Sequence, residues 1–255
     1  MNLRTHSLEI QVPGRTLCTG LDLQIDPGQN WAILGANGSG KTTLLHTLAG
    51  LRPAARGTVT LDGRGIGSYA HRERARYLGL LLQDYGEAFP ASVMETVLSG
   101  RHPYLSRWQW QDDIDDLRLA QAALGAVGLV GFAERALATL SGGERRRVEI
   151  ATLLAQDPPI CLLDEPTNHL DLRHQIAMLE LLTQRRRRIE GFNVLVLHDV
   201  NLALRFCSHA LLLFGRGECL YGKIADVLDA ESLERLYSCP IRKIETEDQL
   251  FYIPA

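Results

Sequence analysis

Apolar and polar positions change rhythm twice along the chain. Up to residue 65 the short runs "LEIQV", "LDLQI", "WAIL" and "TVTL" are alternating or wholly apolar and bounded by Pro, Gly and Asp, a pattern that predicts strands of a twisted sheet. "WAILGANGSGKTTLLHTLAGL" passes from a buried strand through a glycine loop into a helix that ends near Gly50, with Pro53 beyond it. From Pro90 the period lengthens. "SVMETVLSG" opens on a capping box, Ser92 with Glu95, and Leu117, Ala120, Leu124 and Val127 mark one helical stripe, so residues 91–155 are expected to form a helical insert. After it "ICLLDE" and "NVLVLHD" return to β-rich runs, each followed by helical sequence, as in parallel βα units. The expectation is an α/β chain with its core over 1–90 and 156–215, the insert between them, and an extension over 216–255.

Composition narrows the class further. With 255 residues, 45% hydrophobic and 22% charged, the chain can bury one large core or a core with a smaller subdomain. A net charge of −3 gives no global basic field, so nucleic acid is not an expected partner. No apolar run approaches the roughly 20 residues that span a bilayer, and "MNLRTHSLEIQV" lacks the apolar stretch of a signal peptide, so a soluble cytoplasmic chain is expected. The five cysteines, Cys18, Cys161, Cys207, Cys219 and Cys239, form no CxxC pair and read as reduced, inert thiols. The run "RRRR" at 185–188 reads as a solvated helix end. Only Lys41, Lys223 and Lys243 are lysines among 27 basic residues, so each stands out.

Lys41 closes the most informative motif. "GANGSGKT" fits G-x-x-x-x-G-K-[ST], in which the backbone N–H groups of Gly35, Ala36, Asn37, Gly38, Ser39 and Gly40 converge on phosphate oxygens and the following helix adds its positive end. Lys41 supplies a mobile charge for the β- and γ-phosphates, the Thr42 hydroxyl is placed to ligate Mg²⁺, and Thr43 continues the loop into the helix. In "ICLLDE" four apolar residues end in two acids, which a buried strand can carry only at its end. Asp164 is expected to hold Mg²⁺, and Glu165 to orient and deprotonate the attacking water. His198, at the end of "VLVLHD", is placed to contact the γ-phosphate.

"LATLSGGERRR" offers a second phosphate grip. Ser141 and Glu144 have capping-box spacing, which by itself describes a well-started helix. Gly142 and Gly143 weaken that helix's first turn while baring N–H groups beside a serine hydroxyl, as a phosphate-binding helix end requires.

With these motifs in this order, from about Leu8 to beyond His209, the chain resembles the nucleotide-binding subunit of ABC transporters: "GANGSGKT", Gln83 in "LLLQD", "LSGGE", "ICLLDE", "NHLD" ending in Asp171, and His198. The resemblance implies a P-loop RecA-like core with an antiparallel β subdomain and an inserted helical subdomain. Two copies would pair head to tail with ATP held between the phosphate loop of one and the signature, Ser141 to Glu144, of the other. It implies that Gln83 senses Mg²⁺ and the water, that the segment after Gln83 faces integral membrane permease subunits at the cytoplasmic side, and that Asp171 communicates between the two sites. One departure concerns the base. Family members carry an aromatic residue that stacks on adenine where "QVPGRTL" has Val12 and Pro13.

Within the family, "ETVLSGRHPYLSRW" and "NHLDLRHQIAMLELL" are similar to the ATPases of importers for iron-siderophore, haem and cobalamin, which also work with a substrate-binding protein. That similarity implies Arg101 and Tyr104 at or near the membrane-subunit contact. A cytosolic ABC ATPase acting in assembly or repair would share every nucleotide motif; a P-loop kinase would lack "LSGGE".

Overall fold

Alternation of buried and exposed positions organises the first strand, β1 (Leu3–Val12), with Leu3, Thr5, Leu8 and Ile10 turned inward. It pairs antiparallel with β2 (Arg15–Leu21), β3 (Gln24–Ile25) and β5 (Arg56–Leu61), and β6 (Arg64–Gly65) extends the sheet beyond β5. The run "LDLQI" is therefore not one strand. The Thr5 hydroxyl donates to Leu21 O (2.6 Å) and accepts from Leu23 N (2.8 Å), so a side chain of β1 replaces ladder bonds where β2 ends.

The computed structural model describes residues 1–83, 90–105, 114–246 and 249–255, and no helix among them is long and apolar enough to cross a membrane. The chain divides into two compact units, residues 1–69 with 186–255 and residues 70–185.

In the first unit β4 (Asn30–Leu34) is buried at every position, as befits a strand with neighbours on both edges. The phosphate loop follows it and leads into α1 (Lys41–Leu48).

The second unit begins with α2 (His71–Tyr77) and β7 (Leu78–Leu81), continues through α3 (Val93–Ser99), α4 (Ile114–Ala126) and α5 (Gly142–Gln156), and reaches β8 (Ile160–Asp164), which pairs parallel with β7, and α6 (Leu172–Ile189). Of the expected stripe, Ala120 and Leu124 on α4 and Val127 beyond its end are buried, and Leu117 is half-buried. Sequence texture changes at 90 and 155, but the compact unit runs from 70 to 185. Its strands are tied to the helices: Gln156 Nε2 donates to Ala75 O (2.6 Å) and Leu78 O (3.1 Å). The arginine run does not stay solvated at its start, because Arg185 bonds Asp157 Oδ1 and Pro158 O, both at 2.7 Å, with its side chain 11% exposed.

Back in the first unit, β9 (Phe192–Val196) lies parallel to β4, α7 (Val200–Phe206) is capped by Asp199, and β10 (His209–Leu213) lies parallel to the other edge of β4. Antiparallel β11 (Cys219–Lys223) completes this side. The extension adds α8 (Ile224–Val227), α9 (Ala230–Tyr237) and the hairpin β12 (Ile241–Glu245) with β13 (Leu250–Pro254). Tyr252 anchors that hairpin, its hydroxyl donating to Leu228 O (2.7 Å) and its N–H to Asn201 Oδ1 (2.9 Å). All five cysteines are free thiols, and Cys18 and Cys219 sit with sulfurs 3.6 Å apart, a pairing that spacing along the chain does not reveal.

Candidate functional site

In the first unit the buried strand β4 delivers the phosphate loop. Gly40 caps α1 with φ +104°, a conformation L side chains rarely adopt, and a Cβ there would lie 2.7 Å from Leu17 Cδ1. Lys41 is buried, and its ammonium donates to Gly35 O (2.8 Å) and Ala36 O (3.1 Å), so the loop is curled around its own lysine. Ala36, Asn37 and Gly38 are exposed; Gly35 and Ser39 are buried; Thr42 and Thr43 are half-buried on the first turn of α1. A curled loop ahead of a helix is a geometry that suits an anion. Arg15, which opens β2 opposite Val12, donates through Nε to Gly215 O (2.8 Å) and through Nη1 to Gly38 O (3.1 Å), bracing the loop from its side. His198 is exposed just past the end of β9.

In the second unit β8 ends in Asp164, fully buried, and Glu165 follows with φ +48°, in the left-handed region. Gln83 Nε2 donates to Glu165 Oε2 (3.1 Å), and Asn168 Nδ2 donates to the same oxygen. Two residues singled out by sequence, Gln83 and Glu165, are thus in direct contact, and a third, Asn168, joins them. Asn168 was legible in principle: "NHLD" begins with it, three positions after Glu165.

The signature turn is built as its spacing predicts. Glu144 N donates to Ser141 Oγ (3.3 Å) while Ser141 N donates to Glu144 Oε2 (2.8 Å); that N–H on the carboxylate, followed by the Ser141 hydroxyl beside it, holds the Glu144 carboxyl below its ordinary value. A Cβ on Gly143 would lie 2.8 Å from His169 O, so backbone approaches backbone here and only glycine fits. A pocket of about 480 Å³ is lined by Ser141, Gly142, Gly143, Glu144, Arg147, His169, Leu170, Asp171 and His174. The signature and Asp171 therefore share one cavity. Asp171 Oδ1 accepts from His174 N (2.9 Å) and lies 2.8 Å from its ring Nδ1, contacts that lower the Asp171 carboxyl from its ordinary value.

Arg146 was hidden inside "RRR". Its side chain is buried, donating through Nη1 to Leu82 O (2.7 Å) and Glu149 Oε2 (2.7 Å) and through Nη2 to Asp164 O (2.5 Å) and Glu165 O (2.9 Å). The available signal is helical period: Arg146, Ile150 and Leu153 fall on one stripe of α5, and all three are buried.

Arg101, expected at or near the membrane-subunit contact, is half-buried. It donates to Asp116 Oδ1 (2.7 Å) and Ala155 O (2.9 Å), lies 4.1 Å from the Tyr104 ring centroid, and is 12% exposed, so it fastens the helices of its unit together. Tyr104 is 36% exposed. The segment after Gln83, residues 84–89, and the end of the "ETVLSGRHPYLSRW" run, with residues 106–113, lie outside the described residues.

Comparison with known proteins agrees with this chemistry. The family model for ABC transporters matches residues 18–168. The ferric enterobactin transport ATP-binding protein of Escherichia coli (strain K12) is 40% identical over 239 residues, covering 92% of this chain and 86% of that protein. The hemin import ATP-binding protein of Streptomyces coelicolor is 38% identical over 235 residues, covering 92% and 82%. Among solved structures, a metal-chelate type ABC transporter in an inward-facing conformation has a TM-score of 0.84 at 27% identity, covering 99% of this chain and 97% of that one. A dimeric ATP-binding cassette in a post-hydrolysis state, bound to ADP and Pi, has a TM-score of 0.76 at 25% identity, covering 87% and 98%. With its phosphate loop, strand-end acids and capped double-glycine turn, the chain belongs to the ABC transporter family as an ATP-hydrolysing subunit.

Proposed function

We propose that two copies of this chain pair head to tail around two ATP molecules and drive import of an iron chelate or haem through integral membrane permease subunits, supplied by a substrate-binding protein. The observation that carries the pairing is the pocket that gathers Ser141, Gly142, Gly143 and Asp171, a helix N-terminus bare enough for a partner's γ-phosphate beside a residue able to report on it. Identity of 35–40% to siderophore and haem import ATPases over most of the chain supports the cargo class.

In this reading Gly35 to Thr43 cradle the phosphates and Lys41 moves from its loop carbonyls to the β- and γ-phosphates. Glu165, aimed by Gln83 and Asn168, takes the proton of the attacking water, and His198 contacts the γ-phosphate. The donors expected for Mg²⁺ are oxygens in each unit, the Thr42 hydroxyl in the first and the Asp164 carboxylate and Gln83 amide in the second, and each suits a small hard cation. Mg²⁺ would offset negative charge on the phosphate oxygens.

The transport reading is tested by reconstituting the chain with its permease subunits in vesicles and measuring ATP-dependent uptake of ferric siderophores and haem. Uptake of neither, with ATPase activity intact, would sink the cargo assignment. Arg101 also fastens the helices of its own unit, so Tyr104 is the cleaner test of the permease contact. Tyr104→Asp is expected to leave basal ATPase of the isolated chain within about twofold, as surface substitutions usually do, while transport falls at least about tenfold. Equal loss of both activities would place Tyr104 in the nucleotide site.

A separate expectation follows from the base. With Val12 and Pro13 in place of an aromatic ring, GTP should compete with ATP within about tenfold, a gap of roughly 1.4 kcal/mol. Competition binding measures it, and a hundredfold preference for ATP would assign the base to another group, Arg15, which is braced on the loop, being the candidate.

A further inference from the structure

Glu165 is held in a conformation that an L residue seldom takes, φ +48°, directly after a strand, and a general base in that state needs its backbone fixed. Its own loop contributes one restraint, Asn168 N donating to Glu165 O (3.1 Å). Helix α5 contributes further ones. Arg146 sits five residues after Ser141, with its side chain 4% exposed, and spreads a planar fork across three backbone carbonyls: Leu82 O, Asp164 O and Glu165 O. Leu82 precedes Gln83, which donates to Glu165 Oε2, so a single guanidinium fixes both the carbonyl of the base and the chain that carries its amide partner. Glu149, 2.7 Å from Nη1, keeps the fork in place and balances its charge. The same helix begins with the signature turn.

We infer that Arg146 is a positioning residue for hydrolysis: it aims Glu165 and Gln83 from the helix whose first turn grips the partner's ATP, so closure of the signature on one nucleotide bears on the base that serves the other. The inference rests on the proposed roles of Glu165 and Ser141. Lysine in its place would keep the charge and lose the fork, since a single ammonium cannot span the three carbonyls.

The test uses the full-length chain with ATP hydrolysis, ATP affinity and ATP-dependent dimerisation measured together. Arg146→Lys is expected to lower kcat by about tenfold to a hundredfold, as misaimed catalytic groups do, with ATP affinity changed less than about threefold and the ATP-bound dimer retained. Arg146→Gln, run in parallel, should give the same split, which keeps the test open if the lysine variant folds poorly. The second readout is a cycle with Glu165→Gln. If Arg146 acts through Glu165, Arg146→Lys lowers the residual turnover of Glu165→Gln by less than about threefold, because the group it aims is already gone.

Affinity, dimerisation and turnover falling in parallel would show a merely structural arginine and overturn the inference. So would an equal factor in both backgrounds, or parent-like turnover in Arg146→Lys. A failure of the underlying readings looks different: Glu165→Gln alone would hydrolyse ATP normally, or Ser141→Arg alone would still dimerise with ATP, whatever residue stands at 146.

Discussion

Glu165→Gln is expected to bind ATP normally, dimerise around it, and hydrolyse it about 10²–10⁴ times more slowly than the parent chain, the range a positioned general base contributes. The substitution is nearly isosteric. The amide still has an oxygen to accept from Gln83 Nε2 and Asn168 Nδ2, so the loop geometry that holds the residue is preserved. It has no lone pair basic enough to take the water's proton. Because turnover is what separates the two copies in the proposed cycle, removing it should leave the closed dimer as the accumulated state. Size-exclusion chromatography with and without ATP, beside a phosphate-release assay, reads both effects. An active variant, or one that stays monomeric in ATP, would remove Glu165 from the role of base.

What could be read from the sequence was what is local. The phosphate loop and both capping boxes are set by residues within eight positions of one another, and each has the geometry its spacing predicts, down to the reciprocal Ser141 and Glu144 bonds. The buried strands β4, β8 and β9 were legible because four of the five residues in each are apolar, which leaves little alternative to a strand buried on both faces.

What could not be read was where long polar side chains point. Arg146 is buried, and Arg101 and Arg185 half-buried, against carbonyls or an acid 15 to 64 residues away in sequence, including Leu82, Asp116 and Asp157. Composition and charge runs describe such residues as surface. The guanidinium's aliphatic stem and five donors let it cross a core and collect main-chain oxygens, which no window of local sequence reports. The break in "LDLQI" has the same origin, since it depends on the Thr5 side chain from another strand.

The remaining large effect concerns how two lesions combine. Lys41→Ala should weaken ATP binding by about tenfold to a hundredfold, the equivalent of a charge-assisted hydrogen bond of ~1.5–3 kcal/mol. It also removes the donor that Gly35 O and Ala36 O share, so the loop loses its internal brace together with its cation. Ser141→Arg fills the signature turn with a bulky side chain and deletes the cap on Glu144 N. Each homodimer then has two damaged sites and should fail to close on ATP. In a mixture, the heterodimer has one site that joins Lys41 of the Ser141→Arg chain to Ser141 of the Lys41→Ala chain, and that site carries neither lesion. Random pairing makes half of the dimers mixed, so about a quarter of all composite sites are intact, by the symmetry of a twofold pair. ATP binding and hydrolysis in the mixture should rise above the sum of the separate variants toward that fraction. If titrating one variant into the other gives only the sum, at concentrations where the parent chain dimerises, Ser141 serves the nucleotide of its own chain and the head-to-tail pairing is wrong.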